Sequence, residues 1–403
     1  MKRRDCLTLA LCAPLALHAA SPRPGQHWRE DRALYELLAA DPGPARDILD
    51  HPRRYELQAI WTRIERRGDT PLLAHHTWNL RPRRWFAAAS LVKLPIALFT
   101  MERLAELGYA ERWSSLRLRL SEPPDCARSD ATGSADVPLP ELLRSLLIVS
   151  DNPAFNRLLD WLGWPWVAQR LEAMGYGDAR IVNRLMHCGP DAQSAKAGVE
   201  LIDAEGQVLH RSPAAQLGPA PPFPYGRATQ GRAWLEQGRL IEGARDFSRA
   251  NFLPLAHAHN MLIALVMPEA VIAAQRWRIE ESQRRWLYET LGMLPSESPA
   301  PRFPASEFPD HYAKFLVVGG RAGQHPPGLR IHNKIGEAFG YLSDVAYLKD
   351  SSGAECFLSA VVYVNSDGVL NDGAYDYEQL GRPFLAHLGQ LVLAAERRAR
   401  RAT

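Results

Sequence analysis

The stretch that decides the fold runs Trp85-Phe-Ala-Ala-Ala-Ser90-Leu-Val-Lys93-Leu-Pro-Ile-Ala-Leu-Phe99. Small residues lead into a serine, and a lysine follows three positions later. Leu94, Ile96, Ala97, Leu98, Met101, Leu104 and Leu107 then repeat with helical spacing as far as Gly108. Read as a helix, the stretch puts Ser90 in the first turn and Lys93 one turn on, on the same face. A serine hydroxyl is a weak nucleophile and needs a base beside it. A lysine among Phe86, Leu91, Leu94 and Phe99 loses water, which lowers its pKa and lets it take a proton. The helix N-terminus adds unpaired N–H groups where negative charge would develop. Pro95 falls inside the pattern and frees the Leu91 carbonyl, an irregularity commoner at functional sites. A Ser-x-x-Lys pattern is short, however, and a helix cap followed by a solvated lysine has the same letters.

Around this stretch the chain has 403 residues, 46% hydrophobic and 23% charged, an ordinary globular composition with room for two lobes. A formal charge of +3 gives no nucleic-acid footprint. Residues 1–20 read as an export signal: a basic head at Lys2-Arg3-Arg4, an apolar core from Leu7 to Leu17, and small residues at Ala19-Ala20. The core is too short to span a membrane, so no stable membrane insertion is expected. Arg3-Arg4 also resembles a twin-arginine signal, and either route predicts a periplasmic or secreted protein. Cleavage leaves Cys126, Cys188 and Cys356. Cys126 and Cys188 lie in loop-like sequence and are available to pair, while Cys356 sits in an apolar strand as a buried thiol. No Cys/His spacing suits a metal, and no cofactor is implied.

The element pattern predicts an N-terminal helical extension at 21–53, with helices from Trp28 to Leu38 and Pro44 to Leu49. Strands follow from Arg54 to Glu65 and Leu72 to Leu80. Helices are predicted from Pro140 to Val149, Ala154 to Leu162 and Trp166 to Met174, with a hairpin near 199–209 and a helical pattern over 227–292. Strands return from Leu329 to Ile335, Gly340 to Leu348 and Cys356 to Asn365, and a helix from Pro383 to Arg400 closes the chain. The fold class is α/β (α+β): an antiparallel sheet flanked by helices, built from 54–89 and 312–403, with a large helical lobe at 90–311 inserted between. Ser90 falls where the two lobes meet, a preferred pocket position.

Three short elements occur in order: Ser90-Leu-Val-Lys93, Ser150-Asp151-Asn152 and Lys334-Ile335-Gly336. Together they resemble the serine β-lactamase and penicillin-binding protein superfamily, closest to class A-like β-lactamases, from about Tyr55 to the C-terminus. The resemblance implies that Ser90 is acylated with Lys93 as base, and that Ser150 passes a proton to the leaving nitrogen. It implies that Asn152 binds the substrate amide, that Asp151 holds its loop, and that Lys334 sets a charge beside Ser150. Backbone N–H groups of Ser90 and Glu337, just past Gly336, would form the oxyanion hole. Two positions depart from the pattern. Ile335 stands where a hydroxyl residue usually binds the substrate carboxylate, leaving Arg330 and His332 as candidates for that task. Met186 stands where class A enzymes carry the deacylating glutamate, with His187 and Glu200 as the next possible bases. The function expected is an exported serine hydrolase acting on a β-lactam or peptidoglycan-related small molecule. The alternatives are a D-Ala-D-Ala peptidase or penicillin-binding protein, and a catalytically silent receptor for cell-wall fragments.

Overall fold

The computed structural model describes residues 27–67, 70–122, 136–185, 195–320 and 323–402. The expected export signal, Cys126, Cys188, Met186 and His187 lie outside the described residues.

A six-stranded sheet forms the frame. Its order is His27–Glu30, Thr70–Trp78, Gln58–Arg67, Glu355–Tyr363, Tyr341–Asp350, Leu329–Ala338. The short first strand runs parallel to its neighbour; the other pairs are antiparallel. Glu355–Tyr363 is apolar almost throughout because both its faces are covered, and Cys356 is a buried free thiol within it. One face packs against the helices Lys93–Glu106 and Leu255–Val266. The other packs against Ala33–Ala40 and the terminal helix Arg382–Ala402. Trp61, on Gln58–Arg67, donates its ring N–H to Glu396 of that helix at 2.8 Å, across 335 residues of sequence.

Between the two halves of the sheet lies a lobe of helices that also holds strands. Arg117–Glu122, Gly198–Ile202 and Val208–Ser212 pair in one small sheet. Lys93–Glu106 is buried around nearly all its circumference, as a central core helix should be. Its one interior carboxylate, Glu102, takes two hydrogen bonds from Arg170 and one from the Arg278 backbone.

Three expectations change. Residues 27–30 form a strand, and the first helix is Ala33–Ala40, because β-sheet pairing with Thr70–Trp78 captures the segment before the helix begins. The helical pattern over 227–292 resolves into helices at Leu255–Val266 and Glu281–Gly292 preceded by short strands at Thr229–Gln230, Ala233–Glu236, Arg239–Glu242 and Arg245–Asp246. The turn that breaks the pattern is Gln237-Gly238, with both residues left-handed at φ 50° and 77°. Pro95 is no irregularity: the helix starts at Lys93, so the missing N–H falls in the first turn, where it has no intrahelical partner to lose.

Candidate active site

Ser90 sits in a 3-10 turn, Ala89–Val92, that feeds directly into the Lys93 helix. Ala89, just before it, is held left-handed at φ 44°, a strained conformation for a residue with a Cβ. Ser150 is left-handed too, at φ 62°, and ends the loop after Leu139–Ile148. Asp151 caps the next helix by accepting from the Ala154 N–H at 2.7 Å, which fixes Asn152 at the helix start. The cap chemistry and the site geometry therefore come from the same three residues.

Lys93 joins these elements. Its Nζ lies 2.9 Å from Ser90 Oγ, 3.2 Å from Ser150 Oγ and 2.7 Å from Asn152 Oδ1, and it also meets the Ser150 carbonyl. Four oxygens thus compete for an ammonium with three hydrogens. Once neutral, Nζ has a lone pair to receive the Ser90 hydroxyl proton. Lys93 is fully buried, and that loss of water, followed by the nearby Lys334 charge, holds its pKa well below the ordinary lysine value; Asp151 opposes.

Lys334 comes from the edge strand Leu329–Ala338. It donates to Ser150 Oγ at 2.8 Å. Burial pushes its pKa down to about 7, against the pull of Asp344. Two residues on, Gly336 lies against the Ser90 turn. A Cβ there would come within 2.6 Å of both the Ala88 carbonyl and Ser343 Oγ, so only glycine allows the approach. Being at the sheet edge, this strand keeps a row of backbone groups free on the side where the turn packs, the setting an oxyanion hole requires.

Ser90, Asn152 and Glu337 line a cleft of about 590 Å³, with Trp85, Phe247, Phe339 and Arg245 among its other walls. Lys93, Ser150 and Lys334 stand behind Ser90, linked to it by the hydrogen bonds above. Ile335 does not line the cleft. Side chains alternate along a strand, so Ile335 points opposite to Lys334 and packs in the core beneath the terminal helix. Glu337 follows the same alternation, and its carboxylate pairs with Arg382 of that helix at 2.7 Å. Arg330 is held bidentate by Glu297 at 2.7 and 2.8 Å, and His332 is buried and stacked on Tyr288 at 4.0 Å. Neither lines the cleft. Glu200 pairs with Arg119 and Arg211 in the small sheet of the inserted lobe and also lies outside it.

Sequence reasoning missed two groups. One is a buried cluster next to Lys334: Asn333 accepts from Lys314 and donates to Asp344, each at 2.7 Å. Burial raises the Asp344 pKa and lowers that of Lys314. No local pattern marks it, because Lys314, Asn333 and Asp344 come from separate stretches of the chain. The other is Arg245, on a short strand within the expected helical pattern, with the rings of Trp234, Phe247 and Phe339 around it. Among the described residues no three His, Cys, Asp or Glu side chains are grouped to hold a metal ion, and no helix is long and apolar enough to cross a membrane.

Residues 73–212 match the model of the β-lactamase enzyme family, a segment that contains both the Ser90–Lys93 and the Ser150–Asn152 elements. The chain resembles the serine β-lactamases in fold and in motif. TLA-1 extended-spectrum β-lactamase superposes with a TM-score of 0.50 at 11% identity, covering 87% of this chain and 97% of that one. The β-lactamase of Sphaerobacter thermophilus gives 0.46 at 16%, covering 91% and 97%. Penicillin-binding protein PBP-A gives 0.49 at 14%, covering 91% and 97%. At such identities the likeness to TLA-1 speaks to the fold. No curated protein matches the chain in sequence. The site of this β-lactamase-like chain is thus a serine, two buried lysines and a second serine at the junction of sheet and inserted lobe.

Proposed function

We propose that this chain is a serine hydrolase that opens β-lactams or related amides through an acyl-enzyme at Ser90. The observation that carries the reading is Lys93 Nζ, out of water, within hydrogen-bond reach of both Ser90 Oγ and Ser150 Oγ. Neutral Lys93 takes the Ser90 hydroxyl proton as Oγ bonds to the carbonyl carbon. The carbonyl electrons move onto oxygen, facing the backbone N–H groups of Ser90 and Glu337. As the C–N bond breaks, the proton passes from Lys93 through Ser150 to the leaving nitrogen. Lys334 keeps the Ser150 hydroxyl oriented. Asn152 lines the cleft, where its amide N–H₂ is available to the substrate once Oδ1 accepts from Lys93.

The second half-reaction is slower on this reading. An acyl-serine ester needs a water deprotonated beside it, and Met186, at the position the resemblance gives to a glutamate, has no basic group. Of the two acidic residues at the cleft among the described residues, Glu337 turns its carboxylate away to Arg382, and the Asp246 carboxylate is held by the Ser248 N–H and hydroxyl. General-base help is worth about 10²–10⁴-fold, so its loss should separate acylation from deacylation. Intact-mass spectrometry over seconds to hours after adding a penicillin tests this. The expected result is a persistent adduct at Ser90. Rapid turnover of a chromogenic cephalosporin with no adduct would show an efficient base; no adduct and no turnover would leave the cell-wall receptor. The basic and apolar run at 2–17 supports a site of action outside the cytoplasm, which fractionation of the expressing cells checks.

A further inference from the structure

The cleft opens away from Ser150 and Lys334, and the edge strand measures how far. Lys334 reaches Ser150, Gly336 abuts the Ser90 turn, and Glu337, Ala338 and Phe339 continue the wall. At about 3.3 Å per residue, Ala338, which ends the strand, stands roughly 7 Å beyond Gly336 and roughly 13 Å beyond Lys334, and Phe339 follows in the turn. There the inserted strands meet it. The Arg245 guanidinium carbon lies 4.9 Å from the Trp234 ring centre, 5.4 Å from Phe247 and 5.1 Å from Phe339. Phe247 in turn stacks on Trp85 at 4.5 Å and packs edge-on against Phe339 at 4.9 Å. The far end of the cleft is therefore an arginine fixed among aromatic rings.

Among the described residues this arginine forms no ion pair, and its Nη1, shielded from solvent, donates no hydrogen bond. The other charged residues at the cleft are engaged. Arg184 pairs with Asp160 at 2.6 Å, Arg249 donates to the Ala220 carbonyl, and Asp246 and Glu337 are held as described above. Burial lowers the pKa of this guanidinium from the usual arginine value, although Glu236 attracts it from nearby without forming an ion pair. Its rings already offer apolar contact, and a carboxylate in the cleft would supply the close pairing that Glu236 does not.

We propose that Arg245, with Trp85, Phe247 and Phe339, forms a subsite for the acyl side chain of the substrate, selecting acyl groups that carry a carboxylate beside an aromatic or apolar group. The direction rests on the acyl-enzyme reading: if the leaving nitrogen faces Ser150, the retained acyl group extends the other way, towards Phe339. Such a subsite is separate from recognition of a carboxylate on the leaving side, which falls near Ser150 and Lys334.

Benzylpenicillin and carbenicillin test it, since they differ by one carboxylate on the benzyl carbon. The readout is the second-order rate of adduct formation by intact mass, in the unmodified protein, in Arg245→Gln and in Arg245→Lys, each with its circular-dichroism spectrum. Carbenicillin should react about tenfold faster than benzylpenicillin, the gain expected of one charge-assisted contact. That ratio should fall to about one in Arg245→Gln and be partly kept in Arg245→Lys, which retains the charge if the glutamine variant fails to fold. A ratio near one in the unmodified protein, or one unchanged by loss of the charge, overturns the proposal. Should neither penicillin form an adduct, the acyl-enzyme reading fails, and equilibrium binding of phenylmalonate against phenylacetate judges the subsite. Tighter phenylmalonate binding that is lost in Arg245→Gln upholds it; equal binding overturns it.

Discussion

At the scale of the residue, the site turns on two lysines that share one serine. Ser90→Ala should abolish covalent labelling by penicillins while leaving the circular-dichroism spectrum unchanged; labelling retained elsewhere would move the nucleophile. Lys93→Met should slow acylation by about 10²–10⁴-fold, the usual worth of a general base. The pH dependence has a definite sign. Only deprotonated Lys93 can take the Ser90 proton, and its pKa is lowered, so acylation should rise with pH and level off well before ordinary lysines titrate. Lys334 supplies part of that lowering by charge repulsion. Lys334→Met should therefore move the midpoint of the pH–rate profile upward. A midpoint that stays in place would show that the two lysines do not interact. Ser90, Lys93, Ser150 and Lys334 were all legible in the sequence, because each sits in a short local pattern. Arg245 was not. Its relation to Ser90 exists only through the pairing of distant strands, and no spacing along the chain encodes it.

At the scale of the element, the approach of the edge strand to the Ser90 turn is the most constrained feature. Gly336→Ala would push the strand off the Ala88 carbonyl, an overpacking that costs typically about 1–3 kcal/mol. The same displacement would draw Lys334 away from Ser150 and the Glu337 N–H away from Ser90. Urea denaturation should show the stability loss, and acylation should fall by more than that loss explains. A variant with reduced stability but full acylation would count against the oxyanion role. The three strands at the end of the chain were legible because their runs are apolar and sharply bounded. The inserted strands around Gln237-Gly238 were not, since Trp234, Leu235, Leu240 and Ile241 fit helical spacing as well as a hairpin does. Ile335 was misplaced for a related reason: its neighbours in the motif face the cleft, and the alternation of the strand turns it to the other core.

At the scale of the whole molecule, three lysines are enclosed in the sheet and its flanking helices: Lys93, Lys314 and Lys334. Burial lowers the pKa of each, that of Lys334 to about 7. In the unfolded chain they titrate near 10.5. Between these values the unfolded state binds more protons, so stability should rise with pH through that interval. Groups raised by burial oppose the trend as their unfolded forms ionise, Cys356 from about pH 7.5 and the tyrosines from about pH 9, so below about pH 9 one thiol acts against three lysines. The melting temperature should therefore increase between about pH 7 and about pH 8.5. Lys334→Met should make that rise shallower, and an unchanged slope would mean that Lys334 is protonated alike in both states.

The bond from Trp61 to Glu396 has a consequence for how the molecule is made. The strand that carries Trp61 pairs with Glu355–Tyr363, so the middle of the sheet joins the first part of the chain to the last. At about 5–20 residues per second of synthesis, the 335 residues between the two partners take roughly 17–67 s to emerge. Through that time the strands Gln58–Arg67 and Thr70–Trp78 have each other, but one long edge waits uncovered. A nascent chain stopped short of Glu355 should be captured by holding chaperones and cleaved by protease within this hairpin, whereas the finished chain closes the edge against its own last strand.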